Sequence, residues 1–172
     1  EGREESSNAC WHRLLLVDPE DGDALETLAK SADLAGDTDQ ALTLYERLAD
    51  CSKSIRQQQM ALGRMAEIHQ AQGEDAKAIE ILKRLSTLDP ASTEPWHEIY
   101  RLCVGLGQFD EASRAITSAI ERSRSADERA SLNREAALMA SNELSDPLAA
   151  VYHWEQFLLI EPLDVDALNS IW

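Results

Sequence analysis

The chain has 172 residues, 44% of them hydrophobic but only 5% aromatic, and carries 16 Lys and Arg against 32 Asp and Glu, a net charge of −16. That imbalance repels phosphate backbones and anionic bilayer surfaces, so nucleic-acid binding and membrane insertion are not expected. Good helix formers dominate, period-2 alternation is absent, and no apolar run nears the ~18 residues a bilayer span requires, so the expected class is all-α.

In chain order, the elements read as helices joined by a recurring junction. A helix over about 3–17 runs into LLLVDPEDGDAL at 14–25, where Pro19 stops it and the acidic residues after it cap the next helix. That helix, DALETLAKSADLAG, spaces Leu25, Leu28 and Ala32 by three and four and is closed by Gly36. Its partner, DTDQALTLYERLAD, has Asp37 at its positive end and Ala41, Leu44, Tyr45 and Leu48 on one face. The polar stretch CSKSIR takes up extra residues. From Gln59, LGRMAEIHQAQG ends at Gly73, and EDAKAIEILKRLSTLDP opens on Glu74 or Asp75. The junction returns at 85–96 as LSTLDPASTEPW. From Thr93, EPWHEIYRLCVGLG has Pro95 in a first turn and ends at Gly107, and QFDEASRAITSAIERS follows with Asp110. From near Ser131, LNREAALMASNELS leads into DPLAAVYHWEQFLLIEP, with Pro147 in its first turn. A third junction, FLLIEPLDVDAL at 157–168, launches a last helix at Asp164.

Pro19, Pro90 and Pro162 are 71 and 72 residues apart, each close to two repeats of ~34. Aligned unit starts at 22, 59, 93, 131 and 165 give spacings of 37, 34, 38 and 34. A two-helix unit cannot bury its apolar face alone, whereas stacked copies can.

These residues resemble the tetratricopeptide repeat. Leu25, Leu62, Trp96 and Leu168 match its first large position, Leu28, Met65 and Ile99 its Leu, and Ala29 and Ala66 its small residue. Ala41, Ala78, Ala112 and Ala150 match the Ala of the second helix, and Trp11, Tyr45 and Trp154 its aromatic, with Leu82 and Ile116 as aliphatic substitutes. Pro19, Pro90 and Pro162 match the closing Pro. Tyr100 and Trp172 depart from the pattern by standing where the family has a small residue. The resemblance implies a right-handed superhelical solenoid of about ten antiparallel helices. It covers 1–172 as one array: a lone second helix at 1–20, repeats at 22–58, 59–92, 93–127 and 128–162, and a cut-off first helix at 163–172. A fragment of a longer array is the expectation.

No pattern of residues points to catalysis. His97-Glu98-Ile99-Tyr100-Arg101 lacks the second histidine of a zinc helix. DPEDGD at 18–23 would put Val17 at the first ligand position of a calcium loop, so it reads as a turn and helix cap. No phosphate-binding glycine loop occurs. Cys10, Cys51 and Cys103 are odd in number, with no CxxC, which favours a reducing compartment and a cytoplasmic protein; Cys103 lies on the apolar face of its helix. No enzyme activity, cofactor or metal is expected.

The resemblance implies that the first helices line a groove for another protein, held as a peptide or helix. Its groove positions fall on Asp23, Glu26, Lys30 and Asp33; Met60, Gly63, Glu67 and Gln70; Glu94, His97, Arg101 and Val104; and Leu132, Glu135, Met139 and Asn142, with Arg64 beside them. One subset of the family clamps a carboxylate with clustered Lys, Asn and Arg. Here Lys30, Arg64 and Arg101 are isolated, so no such clamp is expected. A basic ligand with apolar anchors for Met60, Val104 and Met139 fits instead. The alternative is a non-catalytic arm that targets a larger enzyme, such as a glycosyltransferase or kinase, to its substrates. Self-association through truncated ends is a further expectation.

Overall fold

Each helix start and stop can be traced to a local cause. Asp21 accepts the Ala24 amide at 2.8 Å, Asp37 that of Gln40 at 3.1 Å, Asp146 those of Leu148 and Ala149 at 3.1 and 3.0 Å, and Asp164 that of Ala167 at 2.8 Å, so four helices begin on an aspartate cap. Gly36, Gly73 and Gly107 stand at φ +78°, +73° and +70°, the left-handed conformation that ends the first helix of each of three units. The computed structural model of the chain describes the backbone of residues 2–171 and the side chains of 8–171; Trp172 lies outside the described residues.

Among the described residues there are ten α-helices and no strand. They are α1 (Gly2–Val17), α2 (Gly22–Leu34), α3 (Thr38–Cys51), α4 (Ile55–Ala71), α5 (Asp75–Leu88), α6 (Glu94–Gly105), α7 (Phe109–Arg122), α8 (Ala126–Asn142), α9 (Pro147–Leu158) and α10 (Val165–Ile171). The all-α helical-repeat class is as the sequence implied. The helices divide into two compact units, Glu1–Leu88 with α1–α5 and Asp89–Trp172 with α6–α10.

In the first unit α2 pairs with α3 and α4 with α5, and α3 packs on α4. Small residues permit these close approaches: Ala24, Ala29, Ala41, Ala61 and Ala78 are all buried, alongside Leu25, Leu28, Tyr45, Leu48, Leu62 and Leu82. The backbones of α2 and α4 approach each other where those of α3 and α5 do not, so the first helices form the inner face of this unit. In the second unit α6 pairs with α7 and α8 with α9. Its core includes Ile99, Cys103 and Ile116, and a cluster of Ala130, Ala137, Trp154, Phe157 and Ala167. Trp154 and Phe157 meet edge to face at 5.9 Å. Tyr100, an outsize residue for its position, is buried there with His97 stacked on it at 5.9 Å.

Two kinds of junction alternate along the chain. The Asp-Pro junctions leave four and five residues between helices, and an arginine from the following second helix closes each. Arg47 of α3 donates to the Pro19 carbonyl at 2.8 Å, and Arg122 of α7 to the Pro90 carbonyl at 3.0 Å. Arg122 also lies 5.1 Å over the Trp96 ring. The other junctions are Ser52-Lys53-Ser54 and Ser123-Arg124-Ser125, three residues each. After them the first helix begins earlier than expected: α4 at Ile55 rather than near 59, and α8 at Ala126 rather than near 131. Ile55 and Arg56 of CSKSIR join Gln57 and Gln58 in a further helical turn, and Ser52, Lys53 and Ser54 remain as the junction. No proline stops α3 or α7, and a serine stands at the N-cap of each following helix.

Candidate functional site: the faces of the first helices

In the first unit the expected groove residues converge. Glu26 and Lys30, one turn apart on α2, form an ion pair at 2.6 Å that holds the Glu26 carboxyl below its ordinary range, with the Gln57 amide adding to the effect. Gln57 of α4 donates from one nitrogen to Asp23 and to Glu26, at 3.0 Å each. Asp33 accepts Arg64 of α4 at 2.6 Å and, on the same oxygen, the buried Tyr45 hydroxyl at 3.3 Å. Arg64 also meets Glu67, and Asp33 above all holds its guanidinium charged. Met60 and Gln70 are half-buried on the same helix.

In the second unit the polarity is reversed. His97 of α6 meets Glu135 of α8 at 2.9 Å, while Arg101 turns to Glu98 of its own helix at 3.0 Å. Thr93 and Ser123 both donate to Glu128, and these two hydroxyls hold its carboxyl low. Beside Glu128 lies an open cleft of about 340 Å³ lined by Asp89, Ser92, Thr93, Arg122 and Arg124 among others. Val104 is half-buried and carries no charge to match Asp33.

Models of the tetratricopeptide-repeat family match residues 23–50 and 61–95. These two stretches are tetratricopeptide repeats. Solved structures share its fold at low identity. The C-terminal part of a TPR repeat-containing protein from Cytophaga hutchinsonii is 14% identical with a TM-score of 0.65, covering 99% of this chain and 68% of that one. YrrB, described as a TPR protein with an unusual peptide-binding site, is 15% identical at 0.61, covering 98% and 84%. MamA from Desulfovibrio magneticus RS-1 is 15% identical at 0.58, covering 95% and 89%. No curated protein sequence matches the chain.

Within the tetratricopeptide array, the expected register slips by one residue in the last full repeat. Met139 and Leu132, read as groove positions, are buried, and Met139 is only 5% exposed. Met139 corresponds to the buried Ile68 of α4, 71 residues earlier, and the groove position equivalent to Glu67 is Leu138, 43% exposed. The early start of α8 at Ala126 places its turns ahead of the assumed start near 131. Glu135, expected as the counterpart of Gly63, becomes the counterpart of Arg64 and still faces the preceding first helix through His97.

Gln57, Glu128, Ser52 and Ser123 were missed as part of this face. They carry a readable signal: Ser-Lys-Ser at 52–54 and Ser-Arg-Ser at 123–125 lie 71 residues apart, each followed three residues later by Gln57 or Glu128 in a capping-box pattern. The box closes only partly. Ser125 accepts the Glu128 amide, but the side chains of Gln57 and Glu128 turn to Ser52 and Ser123 at 2.6 and 2.8 Å and on to the facing first helix.

Proposed function

We propose that this protein is a non-catalytic interaction scaffold whose first-helix faces hold a basic segment of another protein. The two tetratricopeptide repeats support a scaffold, and a peptide-binding site on YrrB of the same fold is consistent with it. One observation supports the basic ligand: Asp23 and Glu26, the latter already paired with Lys30, converge on a single neutral Gln57 amide nitrogen, two carboxylates sharing one lysine. A lysine or arginine at that point brings the positive charge that the neutral amide lacks, so that donor as well as acceptor is ionised. Half-buried Met60 and Val104 supply apolar contact, each within its own unit.

Titration with an extended peptide alternating Lys or Arg with Leu tests this reading. Asp23→Asn with Glu26→Gln should weaken binding by about ten-fold, roughly 1.4 kcal/mol, and added salt should weaken the native chain's binding more than the variant's. Equal affinity for native chain and variant, or equal binding of a Glu/Leu peptide, overturns the basic-ligand reading.

A further inference from the structure

The outward face of α9 is built unlike those of α3 and α7. Aligned on the buried alanine of each second helix (Ala41, Ala112 and Ala150), three outward positions read Asp39, Thr43 and Asp50 in α3 and Asp110, Arg114 and Glu121 in α7, all exposed. In α9 the same positions are Leu148, Tyr152 and Leu159, exposed at 83%, 57% and 77%. At 3.6 residues per turn, positions 148, 152, 155 and 159 fall on one line about 16 Å long. Glu155, also exposed, therefore interrupts the stripe between Tyr152 and Leu159. Exposed Leu163, in the turn that follows, continues the apolar surface.

The next hairpin of a repeat array does not account for this stripe. α3 is followed by a packed hairpin and so is α7, yet their outward positions stay in solvent. A second copy of the chain does not suit it either, because each copy carries −16. The charge around the stripe names the occupant's sign: seven carboxylates and no lysine or arginine follow Arg134, with Asp146, Glu155, Glu161 and Asp164 on or beside α9. A straight apolar ridge of three turns with an acid in its midst matches the ridge-and-groove surface of another helix.

We infer that the outward face of α9 is a second docking surface, for an amphipathic helix of another protein with leucine-like anchors on one side and Lys or Arg beside them. It is separate from the first-helix faces and stands whether or not they hold a ligand. The arrangement sets Leu148, Tyr152 and Leu159 against the apolar stripe of the partner and Glu155 against one of its cations.

The probe is a fluorescently labelled Leu/Lys model helix of about 18 residues, read by anisotropy against the 172-residue chain. The variant Leu148→Asp, Tyr152→Thr, Leu159→Asp gives α9 the residues of α3 at exposed positions, so circular dichroism should be unchanged. It also makes the chain more acidic, so mere charge attraction would strengthen binding. A loss of at least about ten-fold in affinity supports the apolar surface. A second variant, Glu155→Lys, should weaken the Leu/Lys helix and admit a Leu/Glu helix instead. Undiminished binding by the triple variant overturns the inference, as does equal binding of a scrambled Leu/Lys peptide. Sedimentation showing native dimers that the triple variant dissolves also overturns it, by naming a second copy as the occupant.

Discussion

Gln57 and Glu128 hold equivalent positions 71 residues apart, and each is right for its own surroundings. Gln57 is buried, accepts from Ser52 and donates to two carboxylates. Glu128 only accepts, from Thr93 and Ser123. Where Thr93 stands in the second unit, the first has Gly22, and a Cβ there would come within 2.7 Å of the Gln57 side-chain oxygen. The exchange of Gln for Glu therefore has opposite consequences at the two sites. Gln57→Glu removes the donor and places a third carboxylate beside Asp23 and Glu26, a loss of about 1–3 kcal/mol at neutral pH. That carboxyl would be easier to protonate folded than unfolded, so its cost should shrink as pH falls into the carboxylate range. Glu128→Gln keeps an accepting oxygen and should cost under about 1 kcal/mol. Urea unfolding of both variants across pH checks the pair, and equal losses that ignore pH would count against this account. His153 illustrates the same local logic: burial pushes its pKa down, and the neutral ring donates from Nδ1 to the Asn133 carbonyl oxygen at 3.0 Å.

At the scale of helices, the glycines that close α2, α4 and α6 were legible because a left-handed residue leaves few alternatives to glycine. No atom lies within 4 Å of a Cβ added at Gly36, Gly73 or Gly107, so conformation alone excludes a side chain there. Gly73→Ala should cost about 1–2 kcal/mol, without any clash, and lower Tm by roughly 2–8 °C by scanning calorimetry. Gly63→Ala in mid-α4, also free of neighbours, should raise stability by contrast. Pairing, caps and the buried alanines were legible for the same reason: backbone hydrogen bonding and period-3.6 burial are local. The start of α8 was not, because a three-residue serine junction lets the helix begin before its apolar pattern does. From that error followed the misplacement of Met139. The partners of the groove acids were also illegible, since Arg64 could have faced solvent, Glu67 or Asp33, and only the approach of α2 to α4 brings it to Asp33.

For the whole chain, salt should act on folding and on binding with opposite signs. Among the described residues the ion pairs are mostly at the surface: Arg84 with Glu46 and Asp50, Lys77 with Glu74 and Lys83 with Glu80 all leave both partners substantially exposed. Such pairs contribute about 0–1 kcal/mol each, so screening them loses little. Against that stands the mutual repulsion of a chain with twice as many carboxylates as cations. At low ionic strength the Debye length, about 30 Å at 0.01 M, lets that repulsion act across a whole unit; near 0.15 M it falls to about 8 Å. Raising NaCl over this range should therefore raise Tm, while it weakens any lysine- or arginine-bearing ligand at either proposed surface. Melting curves and peptide titrations in the same salt series separate the two effects. A Tm that falls with salt would mean that the ion pairs outweigh the net charge, and the reading of the acidic surface as surplus available to a basic partner would fall with it.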